Sequence, residues 1–140
     1  VYSKKLHGLV ERYRLGARVK FISHCKEMPL AYSVSDIVVS SSIEPEAFGR
    51  VAVEAQAMEK PIIASDIGGS KETILNEKSG FLYKAADPRE LAKVLNKVME
   101  LDKEALYLIG NEGRKNVTKK FDVDKMCHTT LTEYKKLLNK

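Results

Sequence analysis

Ser40-Ser-Ser-Ile-Glu-Pro-Glu-Ala-Phe-Gly-Arg-Val-Ala-Val-Glu-Ala-Gln-Ala-Met58 lies between two short apolar runs, Asp36-Ile-Val-Val-Ser40 and Pro61-Ile-Ile-Ala-Ser65. Both runs are rich in β-branched residues and read as strands, while the stretch between them leaves the first as a polar loop and becomes helical near Gly49. Strand, loop, helix and strand in that order are the sequence form of a parallel α/β sheet. In such sheets ligands bind outside the carboxyl ends of the strands, which is where this loop begins.

The same alternation continues in both directions. Arg18 to Ser23 and Gly80 to Tyr83 are two further strand-like runs, separated from the others by segments with apolar residues at helical spacing. A first helix is expected from Tyr2 to Tyr13 with Leu6, Leu9 and Val10 inward and Gly16 placed to end it. A second is expected from Met28 to Val34. Asp87-Pro-Arg-Glu90 starts another, with Asp87 as cap, Pro88 in the first position and Glu90 closing a capping box. Leu91, Val94, Leu95, Val98 and Met99 form its apolar stripe. Lys103 to Thr118 carries Leu106, Ile109 and Val117 inward, with Gly110 and Gly113 weakening it. A last helix from Asp122 repeats Val123, Met126, Cys127, Leu131, Tyr134, Leu137 and Leu138.

Length and composition exclude several classes. The 140 residues carry 44% hydrophobic and 31% charged side chains with a net charge of +5, values of an ordinary soluble domain and not of a disordered chain. No apolar run approaches the roughly 20 residues of a membrane-spanning helix. Cys25 and Cys127 stand far apart without a C-x-x-C pattern and read as free thiols of a reducing cytosol, so no zinc or redox site is expected. The lysines are dispersed. The densest group, Arg114 to Lys120, falls late in a helix, where cations favour the dipole, and lacks interleaved aromatic residues, which argues against a nucleic-acid partner. No G-x-G-x-x-G follows a strand, which argues against a dinucleotide oxidoreductase. The chain opens on Val1 and not Met, and reads as a segment of a longer protein.

The loop and helix after Ser40 carry the candidate site. Backbone N–H groups of Gly49, Arg50 and Val51 would face the crevice with the positive end of the helix dipole behind them, and glycine lets an anion approach closely. A phosphate fits there. Val51, Ala55 and Met58 share one stripe of the helix with Glu54. A carboxylate on that side needs a partner: either it snorkels or accepts a backbone N–H, or it accepts hydrogen bonds from ligand hydroxyls.

Glu46-Ala-Phe-Gly-Arg-Val-Ala-Val-Glu54 has two glutamates separated by seven residues with Phe-Gly between them, and in this it resembles the retaining glycosyltransferases of family 4. Other segments resemble that family in the same order: Arg18 to His24, Met28 to Ser33 with Ser35 to Ser41, Pro61 to Gly69 followed by Glu72, and Gly80 to Tyr83 with Asp87-Pro88. The resemblance implies a GT-B enzyme, in which two Rossmann-like domains face each other across a cleft, and residues 1–140 as an incomplete carboxyl-terminal donor domain. The acceptor domain and the first strands, with the basic pair that meets the diphosphate, would lie elsewhere.

By position, the resemblance implies that Glu46 contacts the donor sugar hydroxyls as the catalytic glutamate, in a positioning role and not as nucleophile. It places Phe48, Gly49 and the amides of Arg50 and Val51 around sugar and diphosphate, and Glu54 on the ribose. Arg50 stays open between a surface residue and a phosphate contact. The implied reaction is transfer from a UDP-, GDP- or ADP-sugar to a glycan or lipid-linked acceptor, with retention and without a metal or other cofactor. The implied setting is polysaccharide biosynthesis in the cytoplasm, with peripheral contact at the inner membrane face. His24 and Cys25 would lie in the loop nearest the base. The final helix, with Lys135, Lys136 and Lys140, would cross back toward the acceptor domain. With the strand order 3-2-1-4-5-6 the sheet has a gap beside Asp36 to Ser40, which invites a rearranged sheet or strand exchange between copies. A non-catalytic nucleotide- or phosphosugar-binding module is the alternative function.

Overall fold

The computed structural model describes residues 2–138. Helices α1 (Tyr2–Arg12) and α2 (Met28–Ser33) precede strand β1 (Val38–Ser40). Then follow α3 (Arg50–Ala57), β2 (Ile62–Ser65), α4 (Ser70–Thr73), β3 (Phe81–Tyr83), α5 (Pro88–Met99), α6 (Lys103–Lys120) and α7 (Val123–Leu138). The strands make one parallel sheet in the order β1-β2-β3, with Val38 opposite Ile62 and Ile63 opposite Phe81. This is the expected Rossmann-like arrangement of a parallel sheet with flanking helices.

β2 is the centre of the molecule because every one of its residues is buried, as a middle strand covered on both faces must be. Alternation sends Ile62 and Ala64 to the face where Tyr32, Ala52, Ala55 and Ile74 pack. Ile63 points the other way, onto Phe81, Tyr83 and Val98, with Leu91, Leu95, Leu106 and Ile109 against them. Burying one isoleucine stabilises by about 1.5–3 kcal/mol. The two faces of one short strand therefore seed both layers of the core.

Several local expectations are corrected. Arg18 to Ser23 forms no strand, and Ile22 is 85% exposed. β-branched residues make a strand only where a neighbour accepts the backbone hydrogen bonds, and among the described residues the sheet holds only the other three runs. Phe21 instead stacks on His7 of α1, ring centroids 4.0 Å apart. Helix α1 ends before Gly16. Arg14 takes the left-handed conformation at φ 55, and Leu15 N–H reaches back to the Val10 carbonyl at 2.9 Å. At α5, Asp87 caps the Arg89 and Glu90 amides, but Glu90 accepts from Lys84 N–H at 2.9 Å and does not close a capping box. The Asp87 N–H is already bonded to the Lys84 carbonyl. Met99 falls off the α5 stripe and is exposed. None of the apolar residues repeated along α7 is buried, and Lys140 lies outside the described residues.

Gly110 and Gly113 have a tertiary purpose. They are buried where α6 crosses α3, and a Cβ on Gly110 would sit 2.1 Å from the Glu59 carbonyl oxygen. Beside this crossing Gln56, fully buried, donates to the Ala52 and Thr73 carbonyls, and Asn116 donates to the same Thr73 oxygen at 2.9 Å. Helices α3, α4 and α6 are thus joined by buried hydrogen bonds whose loss would leave polar groups unpaired.

Gly110→Ala gains about 1 kcal/mol of helix propensity but forces two backbones apart, a cost of about 1–3 kcal/mol and occasionally more. The expected result is net destabilisation, seen as a lower urea midpoint. Gly8→Ala in α1, where a Cβ meets nothing within 4 Å, is expected to raise stability by about 0.5–1 kcal/mol.

Candidate functional site

The parallel ladder brings the carboxyl ends of β1 and β2 side by side. From Ser40 the chain runs through residues 41–49 into α3, and from Ser65 it runs through Gly68 and Gly69 into α4. The two connections touch through backbone. Gly69 N–H donates to the Glu46 carbonyl at 2.8 Å. A Cβ on Gly68 would lie 2.4 Å from that oxygen, and one on Gly69 would lie 2.3 Å from the Phe48 carbonyl carbon. Gly68 also sits at φ 52, the left-handed region that glycine enters without strain. In sequence the Gly68-Gly69 pair reads only as a turn. A glycine pair just past a strand is itself the signal of close backbone approach.

Gly49 caps α3 in the left-handed conformation at φ 75, without a side-chain cap. Its carbonyl accepts from Ala52 and Val53 N–H, while among the described residues the Arg50 and Val51 N–H groups have no acceptor. These orphan donors and the helix dipole make an anion-binding end. Two of the three amides named from the sequence, Arg50 and Val51, are thus free at this helix end, while Gly49 is buried.

Glu46 is exposed on the loop, and its Oε1 accepts from the Ser42 hydroxyl. The Phe48 ring meets Phe121 edge-on, centroids 5.4 Å apart, beside a cleft of about 430 Å³ lined also by Met126 and Thr130. Arg50 is 82% exposed and donates to Glu54 Oε1 at 2.9 Å. Val51 is half-buried. The buried side of α3 is Ala52, Ala55 and Gln56; of the expected stripe Ala55 is fully buried and Met58 packs against the core, while Ala52 and not Val51 is the buried residue of the first turn. Helix α3 turns that side toward both β2 and α6, so the sheet alone does not set its face.

Glu54 has a partner that spacing does not reveal. The Tyr32 hydroxyl, from α2, donates to Glu54 Oε2 at 2.9 Å. Tyr32 is 4% exposed. Burial foremost, then the hydrogen bond to Glu54 and the charge on that carboxylate, pushes the phenol from 10.0 up to about 12, so it remains a donor at any physiological pH. A buried tyrosine needs a partner for its hydroxyl, and that requirement was the available signal in the sequence. Glu54 is half-buried, its carboxylate held between Tyr32 and Arg50.

Residues 1–116 match the family model described as glycosyl transferases group 1. The capsular polysaccharide biosynthesis glycosyltransferase CapM of Staphylococcus aureus is 30% identical over 122 residues, 82% of this chain and 32% of that protein. A solved glycosyltransferase from Rickettsia africae superposes with a TM-score of 0.92 at 32% identity, covering 98% of this chain and 36% of that one. HepE of Anabaena, solved in complex with UDP-glucose, superposes at 0.86 and 32% identity over 94% of this chain and 37% of its own. The chain spans about a third of the length of the curated relatives it matches. The parallel sheet, the amide-lined loop after β1 and the match over residues 1–116 together show that this chain belongs to the glycosyl transferases group 1 family.

Proposed function

We propose that this chain carries the nucleotide-sugar site of a retaining glycosyltransferase, as part of a carboxyl-terminal donor domain in a GT-B enzyme. The observation that carries the reading is the pair of amides at Arg50 and Val51, without an acceptor among the described residues and set between the exposed Glu46 and the half-buried Glu54. In this reading the diphosphate lies on those amides, Glu54 accepts from the ribose hydroxyls and Glu46 accepts from hydroxyls of the donor sugar.

The chemistry follows from charge. As the glycosidic bond breaks, the diphosphate gains negative charge, and fixed N–H donors aimed at it lower the barrier without reorganisation. The proposal assigns this task to the α3 amides and basic side chains, not to a metal. Glu46 positions the sugar. The Ser42 hydroxyl, which donates to Glu46, limits its rotamers. Phe48 belongs to the same loop and would border the sugar through its backbone. The acceptor is proposed to be a growing glycan or a lipid-linked sugar in polysaccharide synthesis, in line with the name of CapM, a capsular polysaccharide biosynthesis glycosyltransferase. Activity is proposed to be cytoplasmic, with peripheral contact at the membrane. Among the described residues no helix is long and apolar enough to cross a membrane.

Calorimetric titration of the full-length protein against UDP, GDP and ADP is expected to show selective binding of one of them. Glu54→Ala is expected to weaken that binding roughly 10- to 100-fold, the worth of one or two hydrogen bonds to a charged group. Glu46→Ala is expected to leave nucleotide affinity within about threefold while lowering kcat/KM by a factor on the order of 100 or more. Failure of all three nucleotides to bind a folded protein would sink the reading. Gly69→Ala tests the loop: its Cβ collides with the Phe48 backbone, so a loss of donor affinity on the order of tenfold is expected from displacement of the loop.

A further inference from the structure

Glu54 is held from two sides that differ in physical character. Arg50 reaches it from solvent, one helical turn away, with a side chain 82% exposed. Exposed pairs of this kind contribute little and are easily exchanged for water. Tyr32 reaches it from within the core, where its ring packs with Ala52, Ala55 and Ile62. No rotamer exchange is open to a ring so enclosed. Helix α2 is itself tied down, since Lys60 Nζ donates to the Ser33 carbonyl at 3.0 Å and Ser35 Oγ donates to the Tyr32 carbonyl at 2.8 Å. The Tyr32 hydroxyl is therefore a fixed donor, and Glu54 Oε2 is its acceptor at 2.9 Å.

An ionised carboxylate offers about four lone-pair sites on two oxygens. Tyr32 occupies one on Oε2, and Arg50 donates to Oε1 through both Nε at 3.3 Å and Nη2 at 2.9 Å. Oε2 keeps a free site beside Tyr32, Oε1 regains its sites when the exposed Arg50 exchanges for a ligand, and vicinal hydroxyls are spaced to use such a pair. We infer that Tyr32 is a positioning residue for nucleotide recognition: its buried hydroxyl orients the Glu54 carboxylate so that one acceptor site on each oxygen meets the 2′- and 3′-hydroxyls of the ribose. The inference rests on the proposed role of Glu54 and adds a residue outside the seven-residue glutamate spacing.

The high phenol pKa supports the assignment, because Tyr32 keeps its proton and donates throughout the working range. Tyr32 touches no ligand itself. Its action is through Glu54, so its effect must depend on the ribose hydroxyls, whereas a purely structural role would weaken every ligand of the site alike.

The test is calorimetry on the full-length protein with whichever of UDP, GDP and ADP binds tightest, beside its 2′,3′-dideoxy form. The wild-type protein is expected to prefer the natural nucleotide by about tenfold or more. Tyr32→Phe keeps the ring and removes one oxygen; it is expected to weaken the natural nucleotide by about tenfold, as loss of a hydrogen bond to a charged group does. The dideoxy form should bind the variant and the wild type within about twofold. In a Glu54→Gln background, Tyr32→Phe should cost much less than it does alone. Equal losses for both ligands, or no loss for either, overturn the positioning role while a wild-type ribose preference keeps the Glu54 reading intact. A wild-type protein blind to the ribose hydroxyls, or binding none of the three nucleotides, overturns both.

Discussion

Two strand ends lie side by side because β1 and β2 are parallel neighbours, and the loops leaving them meet with no side chain between them. At Gly68 and Gly69 there is no room for a Cβ against Glu46 and Phe48. This backbone contact decides where the first glutamate stands, where Gly49 turns left-handed, and how α3 presents its amino terminus. The remaining architecture serves it from below. β2 is buried on both faces, and the Gln56, Thr73 and Asn116 hydrogen bonds hold α4 behind the glycine turn.

The site is accordingly made of two kinds of part. In the proposed reading, backbone groups supply the anion-binding end, and their positions depend on chain geometry more than on side-chain identity. Side chains would supply the hydroxyl recognition, and these depend on what orients them. Glu46 accepts a hydrogen bond from a neighbour four residues earlier, Ser42, whereas Glu54 accepts one from Tyr32, 22 residues before it on another helix. A carboxylate braced from the core can be preorganised in a way that one braced only by an exposed arginine cannot, because the exposed pair exchanges with water.

Helix α6 shows how local cost becomes tertiary advantage. Gly110 and Gly113 lower helix propensity, yet they let α6 approach the end of α3 closely enough for backbone to face backbone. An 18-residue helix can carry two such residues because its packing, not its intrinsic propensity, keeps it folded. In contrast, α7 buries none of its described residues. Its junction with α6 still touches the site loop, through the edge contact of Phe121 with Phe48.

Much of this was determined by the sequence alone. Short β-branched apolar runs and helical apolar spacing located β1, β2, β3 and every helix except the four-residue α4, and the strand, loop and helix order with Gly49 located the helix end whose amides are free. Those features are local, and local chemistry is written in neighbouring residues. Tertiary structure alone decided that Arg18 to Ser23 is no strand, because a strand exists only with a partner for its hydrogen bonds. It alone decided that α3 buries Ala52, Ala55 and Gln56, because α6 as well as the sheet covers that helix. It alone joined Tyr32 to Glu54 and Gly69 to Glu46: the first pair meets because α2 and α3 pack on the same side of the sheet, the second because the α3 crossover returns the chain to a neighbouring strand.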